Sequence, residues 1–219
     1  MSIALSLGNN LTTGGIFKPA AVNNTSVNNV TDFASIASGS TLVLLSTQTA
    51  SASASISFTT GIDSTYDEYI FKFINLHPAT DSVNFTFNLS TDGGSSYNVT
   101  KTTTYFQTLH DEADTATEVA YQTSFDLAQS TAFQAISTNL GNDNDQQLSG
   151  SLTLFNPSST TYVKHFISNV NNNTSDNYTL NTFCAGYGNT TSAINAIDFK
   201  FASGNIDDGI IKMYGVAKS

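Results

Sequence analysis

Three histidines, His77, His110 and His165, are the first candidates for chemistry, because a general base that works near neutral pH is most often a histidine. His77 precedes Pro78 at the end of a predicted strand. His110 begins an acidic segment, and His165 falls inside another predicted strand. We therefore interpret each histidine as a structural or solvated residue rather than a catalytic base.

The serines and acidic residues do not form a recognised catalytic motif. The chain has no Gly-x-Ser-x-Gly nucleophile turn, no Gly-x-x-x-x-Gly-Lys phosphate loop and no His-Glu-x-x-His zinc helix. Acidic residues are adjacent only at 67–68, 111–112 and 207–208, and neighbouring residues of a strand point to opposite faces. A glycosidase-like pair of distant carboxylates stays open. We expect no catalytic residues and no enzymatic activity.

Metal and redox chemistry have little support in the sequence. Asn142, Asp143, Asn144 and Asp145 offer oxygen ligands at calcium-like spacing, but Leu148 stands where a calcium loop of the EF-hand type needs glycine. A solvated Asn/Asp turn is the favoured interpretation. Cys184 is the only cysteine and its neighbours are typical of a strand, so we expect it to be a small buried hydrophobic residue. We expect no cofactor.

The charge balance limits the possible partners. The chain has 7 basic and 17 acidic residues, a net charge of −10, and no arginine. Nucleic acids and anionic membranes both require a basic patch, so we expect neither as a partner. Signal-peptide and membrane-span patterns are also missing, which predicts a soluble chain synthesised in a cytoplasm. Charged residues make up only 11% of the chain, and Ser, Thr and Asn in their place favour strands over helices.

Residues 1–40 differ in pattern from the rest of the chain. They contain Gly and Asn pairs and scattered apolar residues, which cannot form a core alone but suit a chain that lies across a partner's surface. We predict an extended N-terminal arm, with a disordered tail as the open alternative. The candidate contact residues of this arm are Phe17, Val22, Val27, Val30 and Phe33.

Residues 41–219 form the predicted folded domain. In Tyr66–Leu76 the residues Tyr69, Phe71 and Phe73 share one face, and Val83, Phe85, Phe87 and Leu89 alternate similarly. The predicted strands are 42–45, 56–59, 66–76, 83–89, 97–109, 118–125, 148–155, 161–170, 178–187, 193–201 and 210–216. The turn at 90–96 predicts a hairpin. Between 126 and 140 a short helix competes with an irregular loop.

About ten strands separated by turns, with at most one helix, predict two packed antiparallel sheets. The predicted fold class is therefore an all-β, jelly-roll-like antiparallel β-sandwich that carries an extended N-terminal arm.

Several segments resemble structural proteins of marine tailed bacteriophages. The resemblance is carried by Ser55–Phe58, Gly61–Tyr69, Asn75–Asp81, Ser90–Tyr97, Phe155–Ser159 and Ile210–Val216. It covers about residues 41–216 and implies a virion component, in the capsid decoration or in the tail and its fibres, synthesised in the host bacterial cytoplasm. It implies no catalytic residues.

The expected partners are other virion proteins and further copies of the chain, with a trimer as our hypothesis. The main alternative is a carbohydrate-binding module that recognises a host glycan, and the third is a polysaccharide-degrading enzyme. A broad apolar patch would favour the structural role. A cleft lined by exposed tyrosines would favour glycan binding, and two facing carboxylates would favour the enzyme.

Overall fold

Twelve strands make up the folded domain, as seen in a computed structural model that describes residues 42–217. No helix occurs within this range. The strands are β1 (Leu42–Thr49), β2 (Ile56–Phe58), β3 (Glu68–Pro78), β4 (Val83–Ser90), β5 (Lys101–Asp111), β6 (Thr117–Tyr121), β7 (Gln134–Leu140), β8 (Leu148–Phe155), β9 (Lys164–Asn173), β10 (Tyr178–Gly188), β11 (Ala196–Phe201) and β12 (Ile206–Val216).

The strands form two antiparallel sheets of unequal size. The large sheet has eight strands in the order β1-β12-β3-β8-β9-β10-β5-β6, and the small sheet has four in the order β2-β11-β4-β7. When β5, β6, β9 and β10 are set aside, eight strands remain in the orders β1-β12-β3-β8 and β2-β11-β4-β7. In this set β1 pairs with β12 and β2 pairs with β11, which is the nested pairing of a jelly roll. The predicted all-β, jelly-roll-like sandwich is confirmed.

The four additional strands widen one sheet only. β5 and β6 are inserted between β4 and β7, and β9 and β10 between β8 and β11. Together they extend the large sheet beyond β8. The large sheet therefore presents a broad outer face, turned away from the small sheet.

Aromatic side chains fill the space between the two sheets. The predicted alternation in β3 is confirmed, since Tyr69, Phe71 and Phe73 are buried there while Ile70 and Lys72 point outward. Phe199 lies at the centre of the core, with its ring centroid 5.2–6.4 Å from those of five other phenylalanines. These five are Phe58, Phe71, Phe73, Phe85 and Phe87.

Two sequence-based expectations about local structure were wrong. The segment 126–140 was expected to be a short helix or an irregular loop; residues 126–133 form an irregular loop, but residues 134–140 form strand β7, in which six of the seven residues are buried. The hairpin predicted across residues 90–96 does not form, because β4 pairs with β11 and β7 while β5 pairs with β10 and β6. The segment between β4 and β5 instead carries the chain from the small sheet to the large one.

Candidate interaction surface

Exposed hydrophobic residues are concentrated on the outer face of the large sheet. Eight large hydrophobic residues are exposed within residues 42–217: Leu42, Leu44, Ile74, Phe106, Val119, Tyr121, Tyr162 and Ile167. Seven of them lie on the strands of this sheet and point away from the core, and Tyr162 alone lies in a loop. An exposed apolar patch of this kind marks an interaction site more often than scattered single residues do.

Strand pairing aligns these residues in rows across the sheet. One row joins Tyr121, Phe106 and Phe183 on β6, β5 and β10. The rings of Phe106 and Phe183 are stacked at a centroid distance of 4.9 Å and an interplanar angle of 11°. A second row crosses six strands from β10 to β1 and consists of Ala185, Ile167, Thr153, Ile70, Tyr214 and Leu44.

Two lysines lie opposite each other within this apolar face. Lys72 of β3 and Lys212 of β12 are directly paired, and like charges in this position destabilise a sheet. Within residues 42–217 neither ammonium group has a hydrogen-bond or salt-bridge partner. The rows on either side of them are apolar, with Ile70 and Tyr214 on one side and Ile74 and Ile210 on the other.

An open groove of about 450 Å³ crosses β9, β10 and β5 on the same face. Ala185 lies at its floor, and Thr102, Thr104 and Ile167 are among its walls. Tyr187 and His165 line one end of it, with ring centroids 5.9 Å apart. The groove is therefore lined by a single tyrosine, together with His165, Ile167, threonines and small residues.

The histidines that opened the sequence analysis are not brought together. His77 Nε2 contacts the carbonyl oxygen of Asp143 at 3.2 Å, and His110 Nε2 contacts the carboxylate of the exposed Asp114 at 3.1 Å. His110 and His165 both lie on the outer face, in register with Thr179 and Tyr187 of β10. These positions are eight residues apart, which corresponds to ~26 Å along a strand.

The acidic residues mainly organise turns. The Asp111 carboxylate accepts hydrogen bonds from the backbone N–H groups of Thr115 and Ala116 and from the Thr115 hydroxyl, and these bonds lower its pKa. Asp92 is similarly bonded to Ser90 and Ser96, with a lowered pKa. Burial raises the pKa of Asp198, which accepts a hydrogen bond from Ser57.

The Asn142–Asp145 segment forms a turn closed by its own neighbours. The backbone N–H of Gln146 donates to the carbonyl oxygen of Asp143 at 2.8 Å, and the side-chain oxygen of Gln146 accepts from the N–H of Asp143. No group of three or more His, Cys, Asp or Glu side chains is placed to hold a metal ion among the residues that the structure describes.

Two lysines are fully buried, which the sequence analysis missed. Lys101 Nζ donates to the side-chain oxygen of Asn88 at 2.5 Å and to the carbonyl of Val99 at 2.9 Å. Burial lowers the pKa of Lys101 to about 7. Lys164 Nζ donates to the carbonyls of Tyr162 and Thr190, and burial lowers its pKa also. Neither lysine opens onto the outer face, so both are structural.

Cys184 is buried, as the sequence predicted. Burial raises the pKa of its thiol to about 12, so it is protonated at neutral pH. A thiol in this state is a poor nucleophile.

The candidate contact residues of the N-terminal arm lie outside the described residues. They are Phe17, Val22, Val27, Val30 and Phe33. No helix in the described part of the chain is long and apolar enough to cross a membrane. Comparison with protein-family models, curated proteins and solved structures finds no match to the chain.

Proposed function

We propose that this chain is a non-enzymatic structural protein on the outside of a bacteriophage particle, in the capsid decoration or in the tail and its fibres, that acts through protein–protein contacts. The observation that carries the proposal is the outer face of the large sheet, which holds seven of the eight large hydrophobic residues that are exposed within residues 42–217. The phage location itself rests on the sequence resemblance described above.

The size of the outer face is adequate for a stable protein contact. Eight strands spaced at ~4.8 Å span ~38 Å, and eight residues along a strand cover ~26 Å, so the face measures ~1,000 Å². A stable interface buries about 800 Å² on each partner. The face thus supplies the required area without the loops.

The composition of the outer face also resembles an interface core. Charged residues are depleted and aromatic residues enriched at the centres of protein interfaces. Here Phe106, Phe183 and Tyr121 form one aromatic row, and uncharged Ser, Thr and Asn side chains occupy most of the remaining positions. These polar groups can exchange water for a partner's hydrogen bonds at a low desolvation cost.

The proposal predicts that the chain is present on purified particles and depends there on its outer face. Gold-labelled antibody against the chain is expected to mark the outside of phage particles in electron micrographs. In a phage that carries Phe106→Ser together with Phe183→Ser, incorporation is expected to fall at least about tenfold, because stacked aromatic residues are typical binding hot spots.

The control is Tyr162→Ser, which removes an aromatic residue that is more exposed than Phe106 from a loop outside this face. It is expected to leave incorporation unchanged. Circular dichroism would verify that all variants fold. Purified particles without the chain would refute the proposed location, and normal incorporation of the double variant would refute the role of the outer face.

A second candidate function, binding of a host glycan, is favoured by the groove at Tyr187. A sugar ring could stack on this tyrosine, while the hydroxyl groups of Thr102 and Thr104 are available for hydrogen bonds. The groove has one tyrosine, whereas a glycan-binding cleft is expected to have a row of exposed tyrosines. For this reason glycan binding is the alternative and not the main proposal.

Glycan binding makes its own prediction. Isothermal titration of the purified protein with host surface polysaccharide is expected to give measurable heat, and Tyr187→Ala is expected to weaken binding at least about tenfold through the lost stacking. Tyr162→Ala, outside the groove, is the control. Absence of binding to every polysaccharide of the host surface would remove this candidate.

A further inference from the structure

We propose that a second copy of this chain covers the outer face and that carboxylates of that copy are received by the Lys72–Lys212 pair. The inference rests on the proposed function, since it names the partner of the same surface. Its starting point is the pairing of two lysines that have no hydrogen-bond or salt-bridge partner within residues 42–217, in an acidic protein with few lysines.

The position of the lysine pair is unfavourable for the isolated domain. Like charges directly opposite in an antiparallel pair repel each other. The candidates for neutralising them within the sheet are Glu68 and Asp208, and each lies four residues from the lysine of its own strand, at a distance of ~13 Å along it. The repulsion is therefore not relieved by a neighbouring strand residue.

A carboxylate from a partner molecule would relieve the repulsion between the two lysines. The lysine pair lies between two apolar rows, one of Ile70 and Tyr214 and one of Ile74 and Ile210. A contact that excludes water from this region would strengthen the attraction between an ammonium group and an incoming carboxylate. The partner must therefore combine acidic groups with an apolar or uncharged contact surface.

The chain itself supplies the acidic groups. It has 17 acidic residues against 7 basic ones, and the exposed acidic residues Glu112, Asp114 and Asp207 lie away from the lysine pair, in the β5–β6 loop and near the start of β12. A second copy therefore brings acidic side chains to a face that has two uncompensated lysines. Because the lysine pair and the acidic loops are different surfaces, such a contact is heterologous and closes into a ring when the rotation allows it.

The test compares two single charge reversals by sedimentation equilibrium of the purified chain. Wild type is expected to self-associate, and Lys212→Glu is expected to weaken association at least about 30-fold, because it places a carboxylate where the partner's carboxylate binds. Lys200→Glu on the small sheet makes the same change in net charge and is expected to change association less than about twofold. Raising the salt concentration from about 0.05 to about 0.5 M is expected to reduce the difference in association between Lys212→Glu and Lys200→Glu, because salt screens the contact between the lysine pair and carboxylates.

The Lys212→Glu variant also separates an effect on association from an effect on folding. In the monomer, Lys212→Glu puts a negative charge opposite Lys72, which replaces a repulsion by an attraction. At a concentration where the wild type is monomeric, the thermal midpoint of the variant is therefore expected to equal or exceed that of the wild type, while association at higher concentration is lost. A lowered midpoint, or equal association of the two variants, would overturn the role of the lysine pair.

The result is distinguishable from a failure of the proposed function. A wild-type chain that stays monomeric at all concentrations and salt levels would overturn the second copy as the partner. If Phe106→Ser with Phe183→Ser still abolished incorporation into particles in that case, the outer face would remain a contact surface for a different virion protein.

Discussion

Replacing Phe199 by alanine is expected to lower the free energy of unfolding by about 3–5 kcal/mol. The side chain is fully buried in β11, and its ring lies at 5.2 Å from that of Phe73 and 5.4 Å from that of Phe71. The substitution loses the transfer energy of a large apolar group and leaves a cavity that the surrounding rings close only partly. The lost edge-to-face contacts add to this cost.

The effect is large compared with the total stability of a domain, which is of the order of 5–15 kcal/mol. Urea unfolding followed by circular dichroism would measure it, because the chain has no tryptophan for fluorescence. Phe199→Leu keeps most of the volume and is expected to cost about 1–2 kcal/mol. Tyr162→Ala, at an exposed loop position, is expected to change stability by less than about 0.5 kcal/mol. A loss below 1.5 kcal/mol for Phe199→Ala would contradict a close-packed aromatic core; this threshold is about half the expected minimum.

Strands whose sequence has a regular period of two were predictable. In β3 the aromatic residues occupy every second position, in β4 and β11 the apolar residues alternate with polar ones, and the structure buries the apolar positions of this alternation. β8 was predicted with the bounds that the structure has, Leu148–Phe155. Such strands are visible because a period of two places every second side chain on the same face of the sheet.

Strands without this period were not predictable. In β7, Gln134–Leu140, polar and apolar residues do not alternate, because both faces are buried and polar side chains lie on each. Residues 207–209, which lie between the predicted strands 193–201 and 210–216, belong to β12, where Gly209 adopts a φ of 116° and permits a bulge. A short polar run with a glycine can form either a turn or a bulge, and tertiary pairing decides between them.

The interaction surface depends on pairing between strands that are distant in sequence. Lys72 and Lys212 are 140 residues apart along the chain, and only the adjacency of β3 and β12 makes them neighbours. Within the strand predicted at 210–216, Ile210, Lys212, Tyr214 and Val216 share one face, as a period of two requires. The order of the strands in the sheet was not predictable, because the sequence pattern of a single strand does not encode it.

The burial of Lys101 and Lys164 also depends on pairing between strands that are distant in sequence. The strand predicted at 97–109 corresponds to β5, and its Lys101, Thr103 and Tyr105 are buried although its sequence is rich in threonine. The hydroxyl of Tyr105 contacts that of Thr182 at 3.1 Å, inside the domain. Polar residues are tolerated here because they find hydrogen-bond partners in neighbouring strands.

The buried Lys101 leads to the second prediction of large effect, which concerns pH. Its pKa is about 7 in the folded chain, against an ordinary value of 10.5. Between these values the unfolded chain binds a proton that the folded chain does not, so stability rises with pH. From pH 7 to pH 9 this single group is expected to contribute an increase of about 2 kcal/mol. Lys164, whose pKa is also lowered by burial, contributes with the same sign.

The rise is expected to end above pH 9 because other buried groups act in the opposite direction. The pKa of Cys184 is raised from 9.0 to about 12, and burial also raises that of Tyr105 above 10.0. Between the unfolded and folded pKa values of these groups the folded chain retains a proton that the unfolded chain has lost, so stability falls with pH. We therefore expect a maximum of stability between about pH 9 and 10.

Lys101→Met is expected to remove most of the increase between pH 7 and pH 9, because methionine fills a similar volume and does not titrate. The side-chain oxygen of Asn88 keeps a hydrogen bond from the N–H of Leu89 in this variant, while the carbonyl of Val99 loses the Nζ donor. Urea unfolding at pH 7, 8 and 9 would measure the slope, with Lys200→Met as the control that retains it. A wild-type stability that is flat or falls over this range would show that Lys101 is charged in the folded chain, and its hydrogen bonds to two uncharged oxygens would then have to carry a full buried charge.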